Sequence, residues 1–127
     1  MSAIILLVED NEQNRYLATF LLQKSGHTVI HAANGEAALD RVCEGPPDLI
    51  LMDIQMPKMD GYEAAERIRT MPGLHEIPII AVTSFAMLGD REKALRMGFA
   101  GYIEKPISPE TFVADVTRFL PHATPDA

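Results

Sequence analysis

The sequence predicts a doubly wound α/β domain built on a five-stranded parallel sheet, and three observations predict it. Five short apolar runs alternate with longer stretches of helical period, the pattern in which helices link consecutive parallel strands. Runs one, three and four are apolar almost throughout, as strands covered by helices on both faces require. The 127 residues suit one domain, large enough to bury roughly two thirds of its unfolded surface and hold a core without disulfides or metal.

Each element carries its own signal. IILLV at 4–8 leads into a helix in which Leu17, Phe20, Leu21 and Lys24 fall at i, i+3, i+4 and i+7, a stripe expected to face the sheet. Gly26 stands where that helix should stop. TVIHA at 28–32 is the second strand, and Asn34 is a natural N-cap for the helix after it. LILM at 49–52 is the third strand, with Asp60 as N-cap of the third helix. IIAVT at 79–83 and GYI at 101–103 are the fourth and fifth strands, separated by a fourth helix. Ser108 and Pro109 give an N-cap and a proline at the first position of a fifth helix, whose Phe112, Val116 and Phe119 form its apolar stripe. Residues 1–120 are expected to form the domain, and PHATPDA at 121–127 a frayed tail.

Composition narrows the function. A formal charge of −7 disfavours nucleic acid and anionic membranes, which reward lysine and arginine clusters absent from the sequence. The lone Cys43 excludes an intramolecular disulfide and a zinc cluster, and reads as a small helical residue. The run from Ala3 to Val8 is too short for a signal segment or a membrane span, so a cytoplasmic location is expected. His27, His31, His75 and His122 are scattered along the chain and are expected to be ordinary strand or surface histidines.

In doubly wound sheets, ligands sit beyond the carboxyl ends of the strands near a switch in strand order. The residues found there are Glu9 and Asp10 on the first strand, Asp53 on the third, Thr83 on the fourth, and Glu104, Lys105 and Pro106 on the fifth. Taken singly, such residues commonly cap helices or end strands. Together they converge, and clustered carboxylates raise one another's pKa unless a cation neutralises them. Oxygen donors without a nearby histidine or cysteine select a hard ion, Mg²⁺ or Mn²⁺. An aspartate beside such an ion, with a lysine and a hydroxyl for the departing oxygens, makes a phosphoryl acceptor.

VEDNEQNR at 8–15, LILMDIQMPKMDGYE at 49–63, IIAVTSFA at 79–86 and GYIEKPI at 101–107 resemble the receiver domain of two-component response regulators, with the family's spacings and over nearly the whole chain. The resemblance implies a flavodoxin-like sheet of strand order 2-1-3-4-5. It makes Asp53 the phosphorylated nucleophile. Asp10 would bind Mg²⁺ (or Mn²⁺) directly and Glu9 through water, with Asp53 and the backbone carbonyl of Gln55 completing the protein ligands. Thr83 and Lys105 would hold phosphoryl oxygens, Tyr102 would be the aromatic switch behind Thr83, and a cis peptide bond would precede Pro106. Gln55 and Phe85 occupy positions that tune phosphoryl lifetime in the family. Three residues depart from its commoner choices: Glu9 for aspartate, Ser84 for alanine or glycine, and Phe85 for a polar residue.

The function so implied is a signalling switch that takes a phosphoryl group from a histidine kinase or histidine phosphotransfer protein. It is most similar to free-standing receivers of chemotaxis or cell-division kind, which are phosphoacceptors rather than enzymes. They meet downstream proteins through the face of the fourth helix, fifth strand and fifth helix. One alternative is a receiver cut from a hybrid histidine kinase. Another is a small Mg²⁺-dependent aspartyl-phosphate phosphohydrolase of the haloacid dehalogenase type, which wants a second acid where Gln55 stands.

Overall fold

The computed structural model describes residues 3–54, 61–74, 76–83 and 89–120. Among them five strands and five helices alternate: β1 Ile4–Val8, α1 Glu12–Lys24, β2 Thr28–Ala32, α2 Gly35–Glu44, β3 Leu49–Asp53, α3 Gly61–Arg69, β4 Ile79–Thr83, α4 Asp90–Arg96, β5 Gly101–Glu104 and α5 Phe112–Thr117. All strand pairs are parallel, in the order β2-β1-β3-β4-β5, as expected. β3 and β5 each run one residue past their apolar segment, so Asp53 and Glu104 end strands rather than follow them.

The continuous apolar runs are explained by two cores, one on each face. Leu6, Val8, Ile50, Met52, Ile79 and Ala81 point to one side and pack with α2, α3 and α4. Ile5, Leu7, Leu49, Leu51, Ile80 and Val82 point to the other and pack with α1 and α5. Alternation along a strand therefore divides apolar residues between two cores, not between core and water.

The helix ends follow local chemistry. Asn34 caps α2, its side chain accepting from the Ala37 N–H at 2.8 Å, and Asn11 caps α1 in the same way through the Asn14 N–H at 2.9 Å. α1 ends at Lys24, and Gly26 takes φ 94° just beyond it. Asp60, the expected cap of α3, lies outside the described residues.

Two expectations are corrected. The buried residues of α1 are Ala18 and Leu22, whereas Phe20 is half exposed. Of the proposed stripe Leu21 still packs partly against the core, so the period was right and the buried face is turned toward Ala18 and Leu22. At α5, the Ser108 carbonyl accepts from the N–H groups of both Thr111 and Phe112. Ser108 and Pro109 thus open a turn, and the helix starts at Phe112 behind Thr111.

Candidate functional site

The carboxyl ends of β1, β3, β4 and β5 lie at one edge of the parallel sheet, and three of its four strand pairs continue there by one more backbone bond. The Glu9 N–H donates to the Ala32 carbonyl at 3.0 Å, the Ile54 N–H to Val82 at 3.3 Å, and the Lys105 N–H to Thr83 at 2.8 Å. Side chains at these positions emerge on a rigid frame. Carboxylate oxygens of Glu9, Asp10 and Asp53 lie within 4.8 Å of one another. Glu9 and Asp53 are buried, Asp10 is exposed, and Thr83 is fully buried at the end of β4.

Lys105 enters this cluster from the loop after β5. Its ammonium is 2.6 Å from Glu9 Oε1 and 3.3 Å from Asp53 Oδ2. The other Glu9 oxygen accepts from the Asn11 N–H at 3.2 Å, and Arg15 donates to the Glu9 carbonyl. Burial pushes the Glu9 carboxyl above its ordinary 4.5, and the nearby Asp53 charge adds to the rise, while Lys105 and the Asn11 N–H oppose it. This is the signature of acids crowded out of water and short of positive charge.

The donor set suits a hard divalent ion: carboxylate oxygens clustered with no histidine or cysteine in the group. The approach of α3 shapes the same edge. A Cβ on Gly61 would come 2.6 Å from the Ile54 Cα and 2.7 Å from the Asp53 carbonyl oxygen, so only glycine lets α3 start this close to the end of β3. Tyr102 packs against the core shared with α2, α3 and α4, half-buried and with its hydroxyl oxygen withdrawn from solvent. The Lys105–Pro106 peptide is cis.

The structure thus brings together Glu9, Asp10, Asp53, Thr83 and Lys105. Gln55, Ser84, Phe85, His75 and His122 lie outside the described residues. Of the other histidines, His27 is buried with Nδ1 accepting from the Ala3 N–H, and His31 is exposed on β2 against the Thr19 hydroxyl. Cys43 is exposed on α2. Sequence reasoning missed Asn11, Arg15 and Gly61, the residues that hold Glu9 and admit α3. Asn11 was open to discovery, since an asparagine before a helical stretch is a capping signal.

A doubly wound sheet with an acid cluster and a lysine at its switch point is the architecture of a phosphoacceptor domain. The chain belongs to the response regulator receiver domain family, whose model matches residues 5–117. It is 43% identical over 120 residues to the polar-differentiation response regulator DivK of Brucella anthropi, covering 94% of this chain and 98% of that one. The chemotaxis protein CheY4 of Vibrio cholerae superposes with a TM-score of 0.88 at 29% identity, over 94% of this chain and all of the other. The Mn²⁺-bound form of response regulator Rcp1 superposes with a TM-score of 0.80 at 27% identity, over 96% and 97%. The chain is therefore a receiver of two-component signalling, a switch governed by phosphorylation, with a kinase or phosphotransfer donor upstream and protein targets downstream.

Proposed function

We propose that Asp53 accepts the phosphoryl group from a phosphohistidine, in a site that Mg²⁺ or Mn²⁺ completes. The observation that carries the proposal is the placement of Asp53 at the end of β3, with the Lys105 ammonium 3.3 Å away and two further carboxylates within 4.8 Å. Asp10 and Asp53 would hold the ion directly, Glu9 through water, and the Gln55 carbonyl would complete the set. A divalent ion supplies charge neutralisation that lets a dianion approach three acids; Rcp1, a neighbour in fold, has a Mn²⁺-bound form.

In the transfer, an Asp53 carboxylate oxygen forms the new O–P bond as the N–P bond of the phosphohistidine breaks. The imidazole leaves with that bond's electron pair and takes a proton from solvent. Lys105 pairs with one phosphoryl oxygen and the Thr83 hydroxyl donates to another, drawing β4 toward the new charge. Tyr102, beside them on β5, reports the change to the face of α4, β5 and α5. Arg91, Tyr102, Glu104, Asp115 and Arg118 line a groove on that face, and Leu95 and Met97 near it are exposed, which suits a protein target.

The protein would act in the cytoplasm without binding nucleic acid or membrane, and would lose its phosphoryl group by water attack within its own site rather than turn over a free substrate. Residues 1–120 would be the receiver and 121–127 a tail. Gln55 and Phe85 would set the lifetime of the phosphoryl group. Labelling with acetyl phosphate tests the central assignment: the parent chain should label once with Mg²⁺ and not with EDTA, and Asp53→Asn should not label. Stoichiometric labelling of the Asn variant would falsify it.

A further inference from the structure

We propose that Glu9 is a positioning residue for Lys105: in the metal-free protein Glu9 holds the lysine ammonium, which competes with a divalent cation for the acid cluster. This rests on Asp53 as the phosphoacceptor and goes beyond a water-mediated role of Glu9 at the metal.

The ammonium is 2.6 Å from Glu9 and 3.3 Å from Asp53. The first distance is that of a short charge-assisted hydrogen bond and the second is longer than such bonds run, so Glu9 is the main partner. Both ends of the pair are fixed. The Glu9 backbone is tied to Ala32 and to Arg15, its second oxygen to the Asn11 N–H, and the Lys105 backbone to Thr83. The side chains are only 10% and 5% exposed, so water and salt screen the attraction little.

Length decides the matter. An aspartate at position 9, on the same backbone, would end roughly 1.5 Å short of the ammonium. The lysine would then keep only the 3.3 Å contact to Asp53, longer than a charge-assisted hydrogen bond, and would be held over the acid cluster less firmly. With glutamate, the ammonium is held to one side of Asp53 and is released when Glu9 turns its charge toward a cation, as the developing phosphoryl charge needs it.

The experiment follows the lysine itself. In ¹H–¹⁵N spectra selective for ammonium groups, the metal-free parent should show Lys105 Nζ as a slowly exchanging resonance, and Mg²⁺ should shift it or speed its exchange. Glu9→Asp, which keeps the charge but not the reach, should lose the slow exchange without metal. By calorimetry Lys105→Met should bind Mg²⁺ roughly tenfold more tightly than the parent, a change of about 1.4 kcal/mol. In the Glu9→Asp background the gain should shrink to about twofold or less. An unchanged Lys105 resonance in Glu9→Asp, or equal tightening in both backgrounds, overturns the proposal. If the variants do not fold, the parent alone decides, since an ammonium resonance indifferent to Mg²⁺ overturns it as well. Acetyl phosphate labelling of the parent is run alongside; its failure would remove the phosphoacceptor assignment, whatever the lysine does.

Discussion

Asp48 and Asp53 bracket β3, and the two ends of the strand treat the same side chain in opposite ways. At the lower end Asp48 Oδ2 accepts from the Ile4 N–H at 2.8 Å while the Asp48 N–H donates to the Ile4 carbonyl at 2.7 Å. Its charge is absorbed by the backbone of the neighbouring strand. At the upper end Asp53 faces two other carboxylates and one ammonium. An acid satisfied by backbone holds structure together, whereas acids set against one another store an unfavourable interaction that a ligand relieves. The difference separates folding from function without reference to residue type.

The widest way to open this contrast is to neutralise each acid in turn. Asp53→Asn should abolish labelling by acetyl phosphate, whereas Asp48→Ala should label like the parent. Loss of labelling in Asp48→Ala would mean that the ends are not independent. Next in size is the response to beryllofluoride, a phosphoryl mimic. Backbone NMR shifts should concentrate at Thr83, Tyr102 and Lys105 and be small at Asp48 and His27, and coupling to a bound target should amount to about 1 to 3 kcal/mol. Shifts that spared residues 83 to 105 would contradict the switch. Asp48→Ala should cost about 1 kcal/mol in urea unfolding, the ordinary worth of a hydrogen bond that joins strands.

The ends should also answer pH with opposite signs. Burial, followed by the N-terminal charge, holds His27 below its ordinary 6.5, and its Nδ1 must stay unprotonated to accept from Ala3. Its contribution to stability is present above 6.5 and is lost as pH falls through the lowered value. Glu9 is raised above 4.5 by burial, so its contribution is present below 4.5 and is lost as pH rises through the raised value. Unfolding midpoints between about pH 7 and 4 should therefore fall less steeply on acidification in His27→Gln than in the parent, and more steeply in Glu9→Gln. Parallel profiles for the three chains would contradict both assignments.

The smallest effect concerns phosphoryl lifetime. An apolar ring at 85 cannot orient an attacking water, and a single amide at 55 without a second polar partner holds one poorly. Hydrolysis should be slow, and Phe85→Glu or Phe85→Lys should change it more than Gln55→Met. Decay of labelled protein in Mg²⁺ measures this, and a severalfold change confined to Gln55→Met would reverse the ranking.

Much of the fold was legible because β1, β3 and β4 are apolar on both faces, which only helices on both sides explain. The strand order came with the resemblance, since apolar runs alone do not say which neighbours pair. Caps such as Asn34 act within four residues and could be read directly. The phase of α1 could not, because Leu17 and Phe20 satisfy the same period as Ala18 and Leu22, and only packing on the sheet chooses between them. The start of α5 was misplaced because Ser-Pro suits a turn as well as a helix start. At the site, the acids and the lysine were visible as polar residues ending apolar runs. The direct pairing of Lys105 with Glu9 was not, since it depends on one methylene and on where two distant loops meet.

The placement of Asp48 and Asp53 also bears on how the sheet avoids sliding. A strand with two apolar faces pays little for a slip of one residue in side-chain polarity alone, because an isoleucine then replaces a leucine in either core. A carboxylate at each end changes that. Moving β3 one step upward pulls Asp48 off its backbone partners, and moving it one step downward drags Asp53 toward the hydrocarbon interior, where an unpaired charge costs several kcal/mol. The aspartate proposed as the phosphoacceptor thus also serves as an end stop, so a sequence that lost the reaction would still have reason to keep a polar group there.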